Sequence, residues 1–314
     1  MALWLGTLQL MLDKGQEADW FSADWICWIA LISVLAFFGF LSRELMVRHP
    51  IVGLGVLRDR NFSVGTIITA MFGFVLYGIT AMLPLFLQTL LGYPALDSGL
   101  AVSPRGIGSM LSMMVAGTLV NYVDSRFLLA TGFGIVGISA LMFSHLNLSI
   151  SMSSVILSNI INGFASGFVF VPLTTMTMGH LRKEEIGNAA GIYNLMRNIG
   201  GSVGLATVTT FLSRRSQIHQ AYLVQNISAY RYQVSAALQQ LAAELQRSGS
   251  QSNVAARRAM GLLYQAVQSQ ASLLAYMDNF RLLACLSFLC IPLALLFRPI
   301  SDTPSAHDHK IDVN

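Results

Sequence analysis

Between Val64 and Leu91 the chain reads VGTIITAMFGFVLYGITAMLPLFLQTLL, with no Asp, Glu, Lys, Arg or His. As a helix this stretch would extend ~40 Å, longer than the ~30 Å hydrocarbon core of a bilayer. A helix that is apolar on every side needs lipid or a large protein interior around it. The composition selects lipid: 54% of residues are hydrophobic and only 11% are charged, against about 25% charged in a soluble domain. The mean hydropathy of +0.60 and the 26 glycines fit closely packed membrane helices. A formal net charge of +4 does not make a nucleic-acid groove, and no nucleic-acid partner is expected.

Six further segments have the length and apolarity of a span, at 25–42, 98–121, 127–146, 153–178, 187–212 and 276–297. The expectation is an all-α multi-span membrane protein. Met1–Leu12 is apolar too, but at ~18 Å it is too short to cross. It lacks the basic leader and cleavage site of a signal peptide. The polar turn Asp13, Lys14, Gly15, Gln16, Glu17 and Asp19 follows directly. The pattern predicts that Met1–Leu12 is the end of a longer helix that starts upstream of Met1.

Lys and Arg placement sets orientation. Arg43, Arg48, Arg58, Arg60, Arg126, Arg182, Lys183, Arg298 and Lys310 fall in alternate loops and the tail. The intervening loops, 13–24, 92–97 and 147–152, hold only Lys14. The richer side is therefore predicted to be cytoplasmic, with a cytoplasmic tail at 299–314. On the other side, 213–275 carries Val234, Leu238, Leu241 and Leu245, then Met260, Leu263, Val267 and Leu274, at helical spacing. Two amphipathic helices are expected there, as a cap on the bundle or a partner surface. The last six spans form two sets of three, 64–146 and 153–297. An odd number per set inverts one against the other, as in many transporters.

Ionisable groups inside a bilayer are functional candidates by default. Arg197 falls near mid-membrane, with Asn194 and Asn198 on its face; Arg105 lies between Pro104 and Gly106. Each guanidinium either clamps neighbouring carbonyls or faces a ligand. Gln88 and Asn162 could line a cavity or make helix–helix hydrogen bonds. No Asp, Glu, His or Lys lies deep in any span, so nothing here titrates within the membrane. Cys27, Cys285 and Cys290 sit in apolar runs without a Cys-x-x-Cys pair, which predicts neither disulfide nor metal site. No paired acid and base, metal cluster or activated nucleophile is visible, so an enzyme is not expected.

Several strings together are specific. Asp13-Lys14-Gly15-Gln16 with Asp19-Trp20-Phe21 is one. Pro84-Leu85-Phe86-Leu87-Gln88, Leu91-Gly92-Tyr93-Pro94 and Ser103-Pro104-Arg105-Gly106 follow, then Asn194 to Gly204. On these the chain resembles EmrB/QacA-type drug:proton antiporters, fourteen-span members of the major facilitator superfamily. The resemblance covers residues 1–298. It implies a C-terminal six-helix half at 64–297, preceded by one truncated linker helix (1–12), an outer hairpin turn (13–24) and one complete linker helix (25–42).

The resemblance further implies multidrug efflux by alternating access in a bacterial inner membrane, driven by the proton gradient with no other cofactor. The essential acids of that family lie mainly in the N-terminal half, so this half would be inactive alone. Its implied partners are that missing half, the lipid bilayer, small apolar or cationic drugs, and a periplasmic adaptor with its outer-membrane channel. Arg197, Asn194, Gln88 and Asn162 would face substrate; Arg105, Pro104 and Asn198 would shape or gate the path. The inner turn keeps Gly117, Asp124 and Arg126 of a family charge network, but Asn121 and Tyr122 replace its charged pair. A rival reading is a non-transporting membrane remnant, or an interaction subunit from a truncated gene.

Overall fold

The computed structural model describes residues 1–47, 53–148, 150–226, 232–248 and 251–297. They form α1 (Ala2–Gly15), α2 (Asp24–Met46), α3 (Arg60–Thr89), α4 (Ala95–Val102), α5 (Pro104–Leu119), α6 (Ser125–Phe143), α7 (Met152–Met178), α8 (Lys183–Asn226), α9 (Tyr232–Arg247) and α10 (Ser252–Ala294). Short 3-10 turns sit at Trp20–Ser22 and Leu54–Arg58, and no strand occurs among the described residues. The tail at 299–314, with Arg298 and Arg48, lies outside them.

Among the described residues, five helices are long and apolar enough to cross a membrane: Asp24–Glu44, Arg60–Thr89, Ser125–Phe143, Met152–Met178 and Ser252–Ala294. Large apolar side chains point outward from them, Trp28 at 64% and Phe38 at 60% exposure. Water would not tolerate that surface, whereas lipid does. The chain is a multi-pass, all-helical membrane protein.

Two expected spans depart from a plain apolar helix. The 98–121 segment is broken at Ser103, where α4 ends and Pro104 opens α5. Proline has no N–H to lose at a first helical position, so the break forms there at little cost. The 187–212 segment is the early part of α8, whose Asn188, Asn194, Arg197 and Asn198 dilute its apolarity. Of the two amphipathic helices expected at 213–275, the first is a separate element, α9, which packs on α10. The second is the beginning of α10, which runs unbroken from Ser252 through the last span, and α8 continues to Asn226 before α9. At ~65 Å each, α8 and α10 are about twice as long as the hydrocarbon core is thick.

In the bundle, α3 packs on α8, α5 on α7, and α6 on both α7 and α10. Aromatic pairs fill the centre: Phe72 meets Phe133 edge-on at 6.1 Å, and Phe86 meets Tyr276 at 5.3 Å. The two closest crossings repeat one another. A Cβ on Gly73 of α3 would lie 2.3 Å from the Arg197 carbonyl oxygen of α8, and one on Gly163 of α7 would lie 2.1 Å from that of Arg105 in α5. Likewise Gly200 meets the carbonyl of Ala70, and Gly108 meets that of Ile160. One constant shift along the sequence carries Ala70 and Gly73 onto Ile160 and Gly163; another carries Arg105 and Gly108 onto Arg197 and Gly200. One turn farther along, Gly204 of α8 meets Phe74 of α3 and Gly167 of α7 meets Ser112 of α5, so α3 runs parallel to α8 and α5 to α7. The two three-helix sets are thus inverted copies of one packing scheme.

The α1–α2 hairpin leans on this bundle through α1 and α8. Ser202 Oγ donates to Gln9 Oε1 at 2.6 Å, and Trp20 Nε1 donates to Thr210 Oγ1 at 3.1 Å. Trp4 holds the pair together, stacked on Phe40 at 5.9 Å and tilted against Phe37 at 4.9 Å.

Candidate functional site

Both arginines reach across the seam between α3 and α7. Arg105 belongs to α5, which packs on α7, yet its Nη1 donates across to Thr80 Oγ1 of α3. Arg197 belongs to α8, which packs on α3, yet its guanidinium lies over the Phe170 ring of α7, 5.7 Å from the centroid. The shift that relates Gly73 to Gly163 also relates Thr80 to Phe170. The two side chains therefore occupy equivalent places, each crossing from its own helix pair to the other. Asn194 Oδ1 accepts from Arg197 Nη2 at 2.9 Å, while Arg197 Nε is buried without a partner. Among the described residues neither arginine has a carboxylate within ion-pair distance.

The other expected site residues divide. Asn194, Asn198 and Gln88 are exposed, and Gln88 Nε2 donates to Ser98 Oγ of α4 at 3.3 Å. Asn162 is not on an open face. It is 1% exposed, and its Nδ2 donates to Ser139 Oγ of α6 at 2.7 Å, so it serves helix packing. Pro104 starts α5. At the far turn Gly117 has open space around it, and Asp124 caps α6 by accepting from the Arg126 N–H at 3.0 Å. The Arg126 Nε and Nη2 are buried without a partner, so the expected charge network is not closed by this chain's described residues.

The hairpin motif has a geometric reason. Asp19 and Trp20 take positive φ, 51° and 55°, which folds the Trp20 ring over Gly15. A Cβ on Gly15 would lie 2.8 Å from that ring, so glycine is required there. Gln16 Oε1 also accepts from Trp20 Nε1, at 3.3 Å. Lys14 Nζ donates to Glu17 Oε2 at 2.7 Å, which raises the Lys14 pKa; Asp13 accepts from Gln9, and Phe21 is exposed.

Sequence reasoning missed Thr80 and Phe170, because a hydroxyl and a ring inside a span carry no signal that marks them as arginine partners. It also missed a cluster where α8 and α10 leave the bundle. There His219 Nε2 and Asp278 Oδ2 are 2.9 Å apart, with Arg215 and Arg281 each 3.6 Å from the same carboxylate. Several cavities lie off the seam, two of them against α3. One of about 430 Å³ is apolar and bordered by Met71, Phe74, Val203 and Leu286; one of about 540 Å³ is bordered by Thr89, Ser216, Gln265 and Tyr276.

Residues 15–205 match the Major Facilitator Superfamily, and the chain belongs to that family. It is 31% identical over 300 residues to the fatty acid resistance protein FarB of Neisseria gonorrhoeae, covering 95% of this chain and 57% of that protein. It is 32% identical over 234 residues to the multidrug export protein EmrB of Haemophilus influenzae, covering 73% of this chain and 45% of EmrB. With EmrB of Escherichia coli K12 the identity is 29% over 242 residues, 77% and 47% of the two chains. The chain spans about half the length of these curated relatives. The resemblance to EmrB-type exporters read from its hairpin and span motifs is upheld by these matches.

Proposed function

We propose that this major facilitator chain forms one wall of an efflux transporter, works by alternating access against a proton gradient, and does not transport alone. The observation that carries the reading is the α3–α7 seam, where two guanidinium groups reach across between helix pairs with no counter-charge among the described residues. Ionisable groups persist at that depth where they face a wet cavity or a substrate, and transporter sites lie near mid-membrane at the repeat interface. The names of the relatives, multidrug export and fatty acid resistance, support an amphipathic small molecule as cargo. With no carboxylate within ion-pair distance of either guanidinium among the described residues, the proton carrier is assigned in this reading to the other wall. In this reading the arginine-rich loops lie in the cytoplasm, and the α8–α10 extension stands on the outer face. There Tyr222, Met260 and Tyr264 expose apolar surface to an adaptor.

The test is dye efflux from cells making residues 1–314 alone, and from cells making them joined to a six-span N-terminal half. The joined protein is expected to export the dye until an uncoupler is added, and the chain alone is expected to do nothing. Uncoupler-sensitive efflux by residues 1–314 alone would overturn the division of labour. In the joined protein Arg197→Ala is expected to slow efflux more than Arg214→Ala at matched expression.

A further inference from the structure

From the paired arginines we infer that the α3–α7 seam carries two stations for an anionic amphiphile, Arg105 at one depth and Arg197 at another. The inference rests on the reading that this seam borders the transport path, and it narrows the cargo to molecules with a negatively charged head.

Depth follows from a contact that ties α3 to α7. A Cβ on Gly65 would meet Thr177 Oγ1, so these two residues share a level near the arginine-rich end. Thr80 lies ~22 Å farther along α3 from that level, and Phe170 ~10 Å back along α7. The two guanidinium groups, held at Thr80 and at Phe170, are therefore stacked ~12 Å apart along the membrane normal. They are too far apart for one carboxylate or sulfonate to touch both, and close enough for an anion to pass from one to the other.

Charge decides the ligand. A guanidinium stays protonated at any physiological pH, so neither station can discharge itself. Held in a poorly polarisable site with no carboxylate partner among the described residues, it gains most from an anion. Beside the Arg197 head the seam offers the Phe170 ring, apolar surface suited to a tail. A cation would meet two like charges, which is at odds with the cationic drugs that the resemblance implies. Equivalent placement in the inverted sets gives each station the same type of anchor, a helix crossing sealed by glycine against the arginine's own carbonyl. As the path opens to one side and then the other, a different arginine lies nearer the opening.

The experiment uses tetraphenylborate and tetraphenylphosphonium, ions of the same shape and opposite charge. Their binding to the detergent-purified chain is measured by equilibrium dialysis, with empty micelles as blank. The borate is expected to bind about tenfold tighter than the phosphonium, at two sites per chain. Arg105→Gln and Arg197→Gln should each remove one site, and the double variant should bind both ions alike. An Arg182→Gln/Arg257→Gln variant, with the same change in net charge, should keep the preference. Equal or tighter phosphonium binding, a single borate site, or a preference that survives in the double variant would overturn the proposal. Should the double variant not fold, the site count in the two single variants decides. Dialysis needs no transport, so anion selectivity can fail while proton-driven efflux stands, and the reverse.

Discussion

The carbonyl oxygen of Arg197 occupies the place where a side chain on Gly73 would begin, 2.3 Å from an ideal Cβ. Backbone, rather than a movable side chain, fills that space, so Gly73→Ala must push α3 and α8 apart. Overpacking of this type costs about 1–3 kcal/mol. Gly163→Ala should cost a similar amount, because the Arg105 carbonyl stands in the equivalent position at 2.1 Å. Gly134→Ala, with no neighbour within 4 Å, should cost nothing and gain helix propensity of up to ~1 kcal/mol. Thermal unfolding of the three variants in one detergent checks the ranking; a stable Gly73→Ala would contradict the crossing.

The hairpin turn invites a second prediction. Asp19 sits at φ 51°, a conformation costing an ordinary residue roughly 1–2 kcal/mol. Asp19→Gly should therefore be neutral or stabilising, even though Asp19 belongs to the recognisable motif. Gly15→Ala should dislodge the Trp20 ring and, with it, the bond from Trp20 to Thr210. A cysteine pair placed on α1 and α8 would then cross-link slowly in Gly15→Ala and at the wild-type rate in Asp19→Gly. The opposite order would mean that the motif serves something other than the fold of the turn.

Much of this architecture is written in the sequence, because lipid imposes a simple demand on composition. Val64–Leu91 announces a span by length and lack of charge alone, and α3 covers it almost end to end. The break in 98–121 was also signalled, by Ser103-Pro104, but apolarity on both sides masked it. The continuity of α10 was hidden because its surroundings change from water to lipid part-way, which alters the pattern without breaking the helix. The internal repeat is nearly silent: Arg105 and Arg197 share a following Ile and Gly, but Thr80 and Phe170 have no chemistry in common. Packing preserves the place of a residue and leaves its identity free, so only contacts expose the equivalence.

Where α8 and α10 leave the bundle, Asp278 gathers His219, Arg215 and Arg281 at 20% side-chain exposure. Only the His219 contact, at 2.9 Å, has hydrogen-bond length, and the two arginines at 3.6 Å add weaker attraction. Asp278→Asn should loosen the two helices locally by about 1–2 kcal/mol, discounted for partial exposure. Hydrogen exchange should quicken within 213–224 and 262–277 and stay unchanged in α6. Uniform exchange across the chain would show that the cluster bridges nothing that the apolar packing does not already hold.

Asn162 separates packing from ligand contact most directly. Its Nδ2 bonds Ser139 Oγ at 2.7 Å, while its Oδ1 is buried without a partner. Removing the side chain loses one interhelical hydrogen bond, worth on average ~0.6 kcal/mol in a membrane protein, and also removes an orphan acceptor. Asn162→Ala should therefore change stability by no more than about 1 kcal/mol and leave the borate-to-phosphonium binding ratio untouched. Asn162→Asp is a different matter, because it places a carboxylate in the same closed space beside a hydroxyl that already donates to the Val136 carbonyl at 2.8 Å. Burying that charge unpaired costs several kcal/mol, so the variant should fail to accumulate in membranes. A shift in ion preference in the alanine variant would return Asn162 to the transport path and reopen the account of how α6 and α7 pack.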